Sequence, residues 1–247
     1  MHLLLSNDDG YQALGIRTLA KEAAKRGHKV FVCAPLTEKS AASHFLTLTR
    51  PLVAKHVPFD GIEAYAVDGS PVDCVRVAKY LTDDPFDFCI SGINHGENVG
   101  TAIIYSGTDA AAREAVMGYL PAIAISVEYR ATPDMFQKAA ETALDMLEHL
   151  ANHPMPRFTF CNINVPAIEP SKIKGVRLSA MSESFYTDGY IKRCDPLGRP
   201  YFWMDMDGGI EEATEGTDLF DLKNGYTTVT FVGGYADRNE TCTALPF

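Results

Sequence analysis

Within its first 35 residues the chain alternates a short apolar run, an amphipathic helical pattern and a second apolar run, which restricts it to a parallel β-α-β arrangement. Leu3-Leu4-Leu5 closes in Ser6-Asn7-Asp8-Asp9-Gly10, and an apolar run of that length ending in turn residues reads as a buried strand. Residues 13–26 place Leu14, Thr18, Leu19 and Ala23 at helical spacing among Lys21, Glu22, Lys25 and Arg26, with Gly27 closing the helix. Residues 28–35 form a second buried strand stopped by Pro35, and a right-handed crossover is expected between the two. The layout is Rossmann-like. No Gly-x-Gly-x-x-Gly follows the first strand, which argues against a dinucleotide site.

The alternation continues. Residues 63–67 read as a strand, and Ser70-Pro71-Val72-Asp73 opens a helix to about residue 81, with Ser70 as N-cap and Pro71 at the first helical position. Residues 86–91 are a strand and 92–105 a loop; residues 109–117 form a helix stopped by Gly118. Residues 121–127 are a strand, 134–150 a long helix, and 158–166 the last strand of the series. Beyond Pro166 the composition turns to Gly, Pro, Asp and aromatic residues, with short strand candidates at 176–181, 199–206 and 226–232. The expectation is an α/β fold: a Rossmann-like doubly wound, mostly parallel core over residues 1–165, and a β-rich carboxyl-terminal arm over 166–247, together one domain. Strand edges carrying Tyr201, Phe202, Trp203 and Tyr226 need cover, so the arm is expected to join subunits into a homodimer or homotetramer.

With 247 residues, 46% of them hydrophobic, the chain can bury a full core. Cys33, Cys74, Cys89, Cys161, Cys194 and Cys242 form no C-x-x-C pair, which fits free thiols in a reducing compartment and a cytoplasmic location. No apolar run reaches membrane-spanning length, and none at the amino terminus resembles a cleavable signal. The net charge of −10 repels phosphate-rich polymers and gives no support to binding a nucleic-acid duplex. A phosphate ligand therefore needs a local attraction, from a metal or from N–H groups at a helix start.

Open α/β sheets bind ligands at the carboxyl ends of their strands, where Asp8 and Asp9 fall. Neighbouring carboxylates there either cap a turn and the next helix, or share a divalent cation that offsets their repulsion. The polar loop 36–44, after the second strand, faces the same rim. Residues 92–100 hold three glycines and two asparagines, which suit close approach of N–H groups to an anion and an uncharged amide ligand for a hard cation. Ser106-Gly107-Thr108 at a helix start is either a phosphate cradle or an ordinary N-cap.

Taken together, Ser6-Asn7-Asp8-Asp9-Gly10, Ser40, Ser91-Gly92-Ile93-Asn94-x-Gly96-x-Asn98-x-Gly100 and Tyr105-Ser106-Gly107-Thr108 resemble the survival protein SurE family of metal-dependent nucleotidases in order and spacing. The resemblance extends through Asn162-Ile163-Asn164-Val165-Pro166, Asp195-Pro196-x-Gly198-Arg199-Pro200-Tyr201-x-Trp203, Thr217-Asp218 and Asn224-Gly225-Tyr226. It implies that Asp8, Asp9, Ser40 and Asn94 bind one divalent cation per subunit, magnesium or manganese. It also implies that Asn98, Ser106, Gly107 and Thr108 form the substrate-phosphate pocket, with Asp8 and Asn98 as catalytic groups. The implied substrates are nucleoside monophosphates, through a 5′- and also a 3′-nucleotidase activity, and other small phosphoesters. Two positions depart from the family pattern: Ala41 replaces a common glycine, and His95 a small residue, leaving proton transfer or packing open for His95.

The residues bear on this independently. Two carboxylates, a hydroxyl and an amide carbonyl make an all-oxygen donor set suited to a hard cation. An aspartyl-phosphate phosphatase would need its second Asp two residues on, where this chain has Gly10. A nucleotide-binding regulatory module without turnover is the alternative from another class, but an anion binder has little reason to place two carboxylates beside a phosphate.

Overall fold

The computed structural model describes residues 1–183, 189–205 and 213–234. Its elements in chain order are β1 (His2–Ser6), α1 (Leu14–Lys25), β2 (Lys29–Pro35), β3 (Ala54–His56), β4 (Glu63–Val67), α2 (Pro71–Ala78), β5 (Phe88–His95), α3 (Ala102–Tyr105) and α4 (Gly107–Met117). They continue with β6 (Ala122–Val127), α5 (Pro133–Asn152), β7 (Thr159–Val165), β8 (Val176–Leu178), β9 (Gly189–Cys194), β10 (Pro200–Asp205), α6 (Asp218–Lys223) and β11 (Thr227–Gly233). Among the described residues one sheet holds nine strands in the order β3-β4-β2-β1-β5-β6-β7-β11-β8, and β9 and β10 pair as a separate antiparallel hairpin. The six strands from β4 to β7 in that order run parallel, so the mostly parallel α/β architecture is present.

Side-chain alternation along β1 sends Leu3 and Leu5 into one core and Leu4 into the other. The first core is closed by Ile16 and Leu19 of α1 and by Phe136, Leu144 and Leu147 of α5; the second by Cys74 and Val75 of α2 and Ala111, Ala112 and Ala115 of α4. β1-α1-β2 and β6-α5-β7 step in opposite directions along the sheet with their helices on the same face. One of these two crossovers is therefore left-handed, against the usual preference. The strand order reverses around β1, whose neighbours are β2 on one side and β5 on the other, and this is the crevice where such sheets place ligands.

Four local features differ from expectation. β5 does not stop at Ser91 but runs on through Gly92 and Asn94 to His95. It passes β6 so closely that a Cβ on Gly92, at φ +136°, would lie 2.2 Å from the Ile125 carbonyl oxygen, and only glycine fits there. Residues 102–105, read as loop, form the short helix α3, and α2 ends at Ala78, short of residue 81. β9 and α6 had no counterpart in the sequence reading.

A further difference concerns the carboxyl-terminal part. β11 pairs antiparallel with β7 and parallel with β8, so two strands beyond Pro166 extend the main sheet and cover the edge that β7 would otherwise expose. The position 165/166 thus lies inside a continuous sheet, and only the β9–β10 hairpin stands apart from it. Tyr226 is not on an exposed edge: Arg177 lies over its ring at 3.7 Å. Tyr201, Phe202 and Trp203 are exposed on the hairpin. Met206 and Cys242 lie outside the described residues. Cys33, Cys74, Cys89 and Cys161 are buried free thiols and Cys194 is exposed. Among the described residues no helix is long and apolar enough to cross a membrane.

Candidate functional site

β1 delivers Asp8 and Asp9 to the reversal of strand order. Asn7 shapes the turn that follows, its amide donating to the Gly10 carbonyl at 2.9 Å, and Gly10 takes φ +94°. Asp8 is almost fully buried and accepts a 2.6 Å hydrogen bond from the Thr108 hydroxyl on α4. Burial pushes its carboxyl up to about 6; the Asp9 charge adds to that, and the Thr108 hydroxyl opposes it. Asp9 is pushed upward as well, first by burial and then by the charge of Glu38, while the His95 backbone N–H, donating to it at 3.2 Å, pulls the other way.

Ser40 and Asn94 arrive from the two flanking strands. The Ser40 loop is held against the site by the Lys39 N–H on the Asp8 carbonyl at 2.7 Å. Farther along, Ser43 bonds the Ile104 and Tyr105 carbonyls, His44 meets Glu114 at 2.9 Å, and Thr47 meets Asp73 at 2.7 Å. Ala41 takes φ +55°, the left-handed region that glycine adopts more easily, at a cost of about 1 kcal/mol. The Ser40 hydroxyl itself is turned onto Glu38 at 2.6 Å and is exposed. Asn94 donates its amide to the Gly96 carbonyl at 2.8 Å, so its side-chain oxygen is the atom that could meet a cation.

The structure therefore gathers elements carrying all four expected ligands around the end of β1. A buried carboxylate and a half-buried one, with a hydroxyl and one N–H as their main partners and both pushed upward, form a donor set that a divalent cation suits. Among the described residues no group of three or more His, Cys, Asp or Glu side chains is arranged to hold a metal.

α4 supplies the second half of the site. The Ser106 hydroxyl accepts the Asp109 N–H at 3.0 Å and is an N-cap, so the side chain works in the fold whatever the helix end binds. Gly107 sits against Asp8: a Cβ there would lie 2.8 Å from the Asp8 Cβ and 2.9 Å from its Oδ2. The positive end of the helix and the carboxylate thus meet in contact. Thr108, expected at the phosphate, instead has its hydroxyl engaged with Asp8. Asn98 is buried beyond the end of β5, its amide donating to Ser126 Oγ at 3.0 Å. His95, whose role the sequence left open, stacks on Tyr129 at 5.2 Å and packs edge-on against Phe136, which is a packing role.

The Thr108 hydrogen bond yields an expected result. Thr108→Ala should push the Asp8 carboxyl further up, shift the acidic limb of the pH–rate profile to higher pH and weaken metal affinity about tenfold, with Thr108→Ser restoring both. A change confined to substrate KM, with metal affinity and the pH limb untouched, would put the hydroxyl on the substrate instead.

Sequence reasoning passed over Asp109. It is fully buried, and among the described residues neither carboxylate oxygen has a hydrogen-bond partner. Burial pushes it up to about 7; the Ser106 hydroxyl and the Arg113 charge pull it down, and the Asp8 charge raises it. A carboxyl raised in the folded state contributes full stability below its unfolded value and loses it as pH rises through its folded value. Asp109→Asn should therefore stabilise the chelated protein at pH 8 by about 4 kcal/mol. The gain should shrink as pH falls from 7 toward 4. Equal unfolding midpoints for the two proteins at pH 8 would contradict the buried charge.

Two cavities, of about 470 and 550 Å³, lie away from this rim: one between α2 and α4, lined by Arg76, Lys79 and Glu114, the other beneath the amino-terminal ends of the strands, lined by Met1, Phe88 and Pro121. The site residues expected from the sequence lie at the carboxyl-end rim and line neither cavity.

Comparison with known proteins bears on this rim. The family described as "Survival protein SurE" matches residues 3–188. A Gloeothece citriformis protein named 5′-nucleotidase SurE is 40% identical, the alignment covering 98% of this chain and 96% of that protein. The Trichormus variabilis protein of the same name is 45% identical over 83% of this chain and 78% of its own length. The crystal structure of the SurE protein from Aquifex aeolicus superimposes with a TM-score of 0.83 at 32% identity, covering 98% of this chain and 97% of that one.

Proposed function

This chain belongs to the survival protein SurE family, and from that membership we propose how it acts as a nucleotidase, a phosphomonoesterase that cleaves nucleoside monophosphates to nucleoside and phosphate. One observation carries the reading of the site: the Asp8 carboxylate in contact with the amino end of α4, which sets a cation position directly beside an anion position. Asp8, Asp9, Ser40 and Asn94 hold one divalent cation, magnesium or manganese, in each subunit. When bound, that cation polarises the phosphoryl group and lowers the pKa of an attacking water. Ser40 reaches it by turning from Glu38, a rotation that its exposed position permits.

The chain's own groups do the rest. The N–H groups of Gly107 and Thr108, with the α4 dipole behind them, take the phosphoryl oxygens and stabilise the charge spread over them. The Asn98 amide fixes a further phosphate oxygen. Asp8, held by Thr108, orients the incoming water and accepts its proton. A regulatory module without turnover is disfavoured, since it gives no reason for carboxylates beside the anion position.

Phosphate release from adenosine monophosphate tests the reading. It should require magnesium or manganese and stop in EDTA. Equal release in EDTA, or none with any divalent metal, would overturn it. Small phosphoesters and 3′-nucleotides are further substrates in this reading, the site is cytoplasmic, and the β9–β10 hairpin is the arm that joins subunits. Light scattering should give two or four times the 27.0 kDa subunit mass, and a stable monomer would remove the arm's role.

A further inference from the structure

β7 carries two asparagines, Asn162 and Asn164, between the core residues Phe160, Cys161, Ile163 and Val165, and all six are fully buried. Two amides in a central strand are costly unless their hydrogen bonds are met. The side-chain hydrogen bonds of both amides go to one residue outside the strand, while Asn162 Oδ1 has no partner among the described residues. The Asn98 N–H donates to Asn164 Oδ1 at 2.7 Å, and the Asn98 carbonyl accepts from Asn164 Nδ2 at 3.0 Å and from Asn162 Nδ2 at 2.8 Å. The main chain dictates the orientation of the Asn164 amide, because an N–H must meet oxygen and a carbonyl must meet NH₂. Asn164 thus grips both peptide groups of Asn98 as a neighbouring strand would. Ser126 on β6, paired in register with Asn164, takes the Asn98 side-chain amide at 3.0 Å.

We propose that Asn164, with Asn162 and Ser126, is a positioning residue for phosphate binding: the three lock the main chain and side chain of Asn98 so that its remaining amide valences face the substrate. This rests on the reading of Asn98 as a phosphate-binding residue. Residues 96–100 are bounded by two glycine-permitted turns, with Gly96 at φ +132° and Gly100 at φ +53°, so their own backbone does little to hold Asn98 in place. Rigidity is imported from the sheet, where β6 and β7 are buried on both faces. Asp218 adds a peripheral tether, accepting the Gly100 N–H at 2.9 Å. It does not touch Asn98 itself.

The test is a double-mutant cycle on the metal-loaded enzyme, with adenosine monophosphate as substrate, inorganic phosphate as inhibitor and Mn²⁺ binding followed by electron paramagnetic resonance. Asn164→Ala should raise both KM and the phosphate inhibition constant by about 10- to 100-fold, with Mn²⁺ affinity held within about twofold. Asn98→Ala should do the same. The double variant should match Asn98→Ala within about twofold, because an aim lost once cannot be lost again. If Asn164 is merely structural, the single variant lowers kcat with KM and phosphate inhibition unchanged, or the two losses multiply in the double variant; either result overturns the proposal. Should Asn164→Ala fail to fold, the same cycle run with Ser126→Ala decides, and full additivity there also overturns it. Asn98→Ala with unaltered KM and phosphate inhibition would instead remove the phosphate-binding reading, and the proposal with it.

Discussion

Asp8→Asn is expected to lower kcat by about a thousandfold or more and to weaken metal binding while leaving the fold intact. The substitution keeps the size of a side chain that is almost fully buried, and the asparagine carbonyl can still accept the 2.6 Å hydrogen bond from Thr108. What it removes is a charge that burial and Asp9 already disfavour in the metal-free protein. The chelated variant should therefore unfold at the same temperature as the parent or higher, and the two readouts move in opposite directions. Kinetics over a full magnesium and manganese titration, alongside calorimetry in EDTA, check both. Near-normal turnover would return Asp8 and Asp9 to the plain role of turn and helix cap.

Gly107→Ala should reduce kcat/KM by about a hundredfold and lower the unfolding temperature at the same time. The added methyl group would sit 2.8 Å from the Asp8 Cβ, 2.9 Å from Asp8 Oδ2 and 3.1 Å from the Pro71 Cγ, closer than packed carbon atoms tolerate. Asp8 has little room to retreat, since it is almost fully buried two residues beyond a strand paired on both sides, with β2 and with β5. The amino end of α4 must then move, carrying the anion-binding N–H groups and Thr108 away from the carboxylate. Activity within about threefold of the parent would mean that the helix end and Asp8 do not work at this contact distance.

Most of the architecture was legible because its strands and helices carry strong local patterns. Residues 63–67 were bounded correctly as a strand, and the Ser70-Pro71-x-Asp73 signature forms the expected capping box. The errors fall where tertiary contact decides. Nothing in Gly92-Ile93-Asn94-His95 marks it as strand: three of the four are poor or neutral strand formers, and their pairing with β6 comes from the open edge beside them. Residues 226–232 read as a strand, but pairing with β7 depends on where that edge lies, which no local pattern encodes.

The site divides in the same way. The sequence by itself determined that Asp8 and Asp9 fall at the carboxyl end of a buried strand, that Ser106 stands at a helix start, and that Ser40, Asn94 and Asn98 fall at the same sheet rim, because strand direction and helix-start chemistry are local properties. Only the tertiary structure decided that Thr108 serves Asp8, that His95 stacks on Tyr129, that Asp109 is buried without a hydrogen-bond partner among the described residues, and that Asn162 and Asn164 face Asn98. Those relations join residues 64 to 100 positions apart, or depend on how closely helix and sheet pack. A polar residue in an apolar strand shows that it needs a partner; the fold alone shows which one.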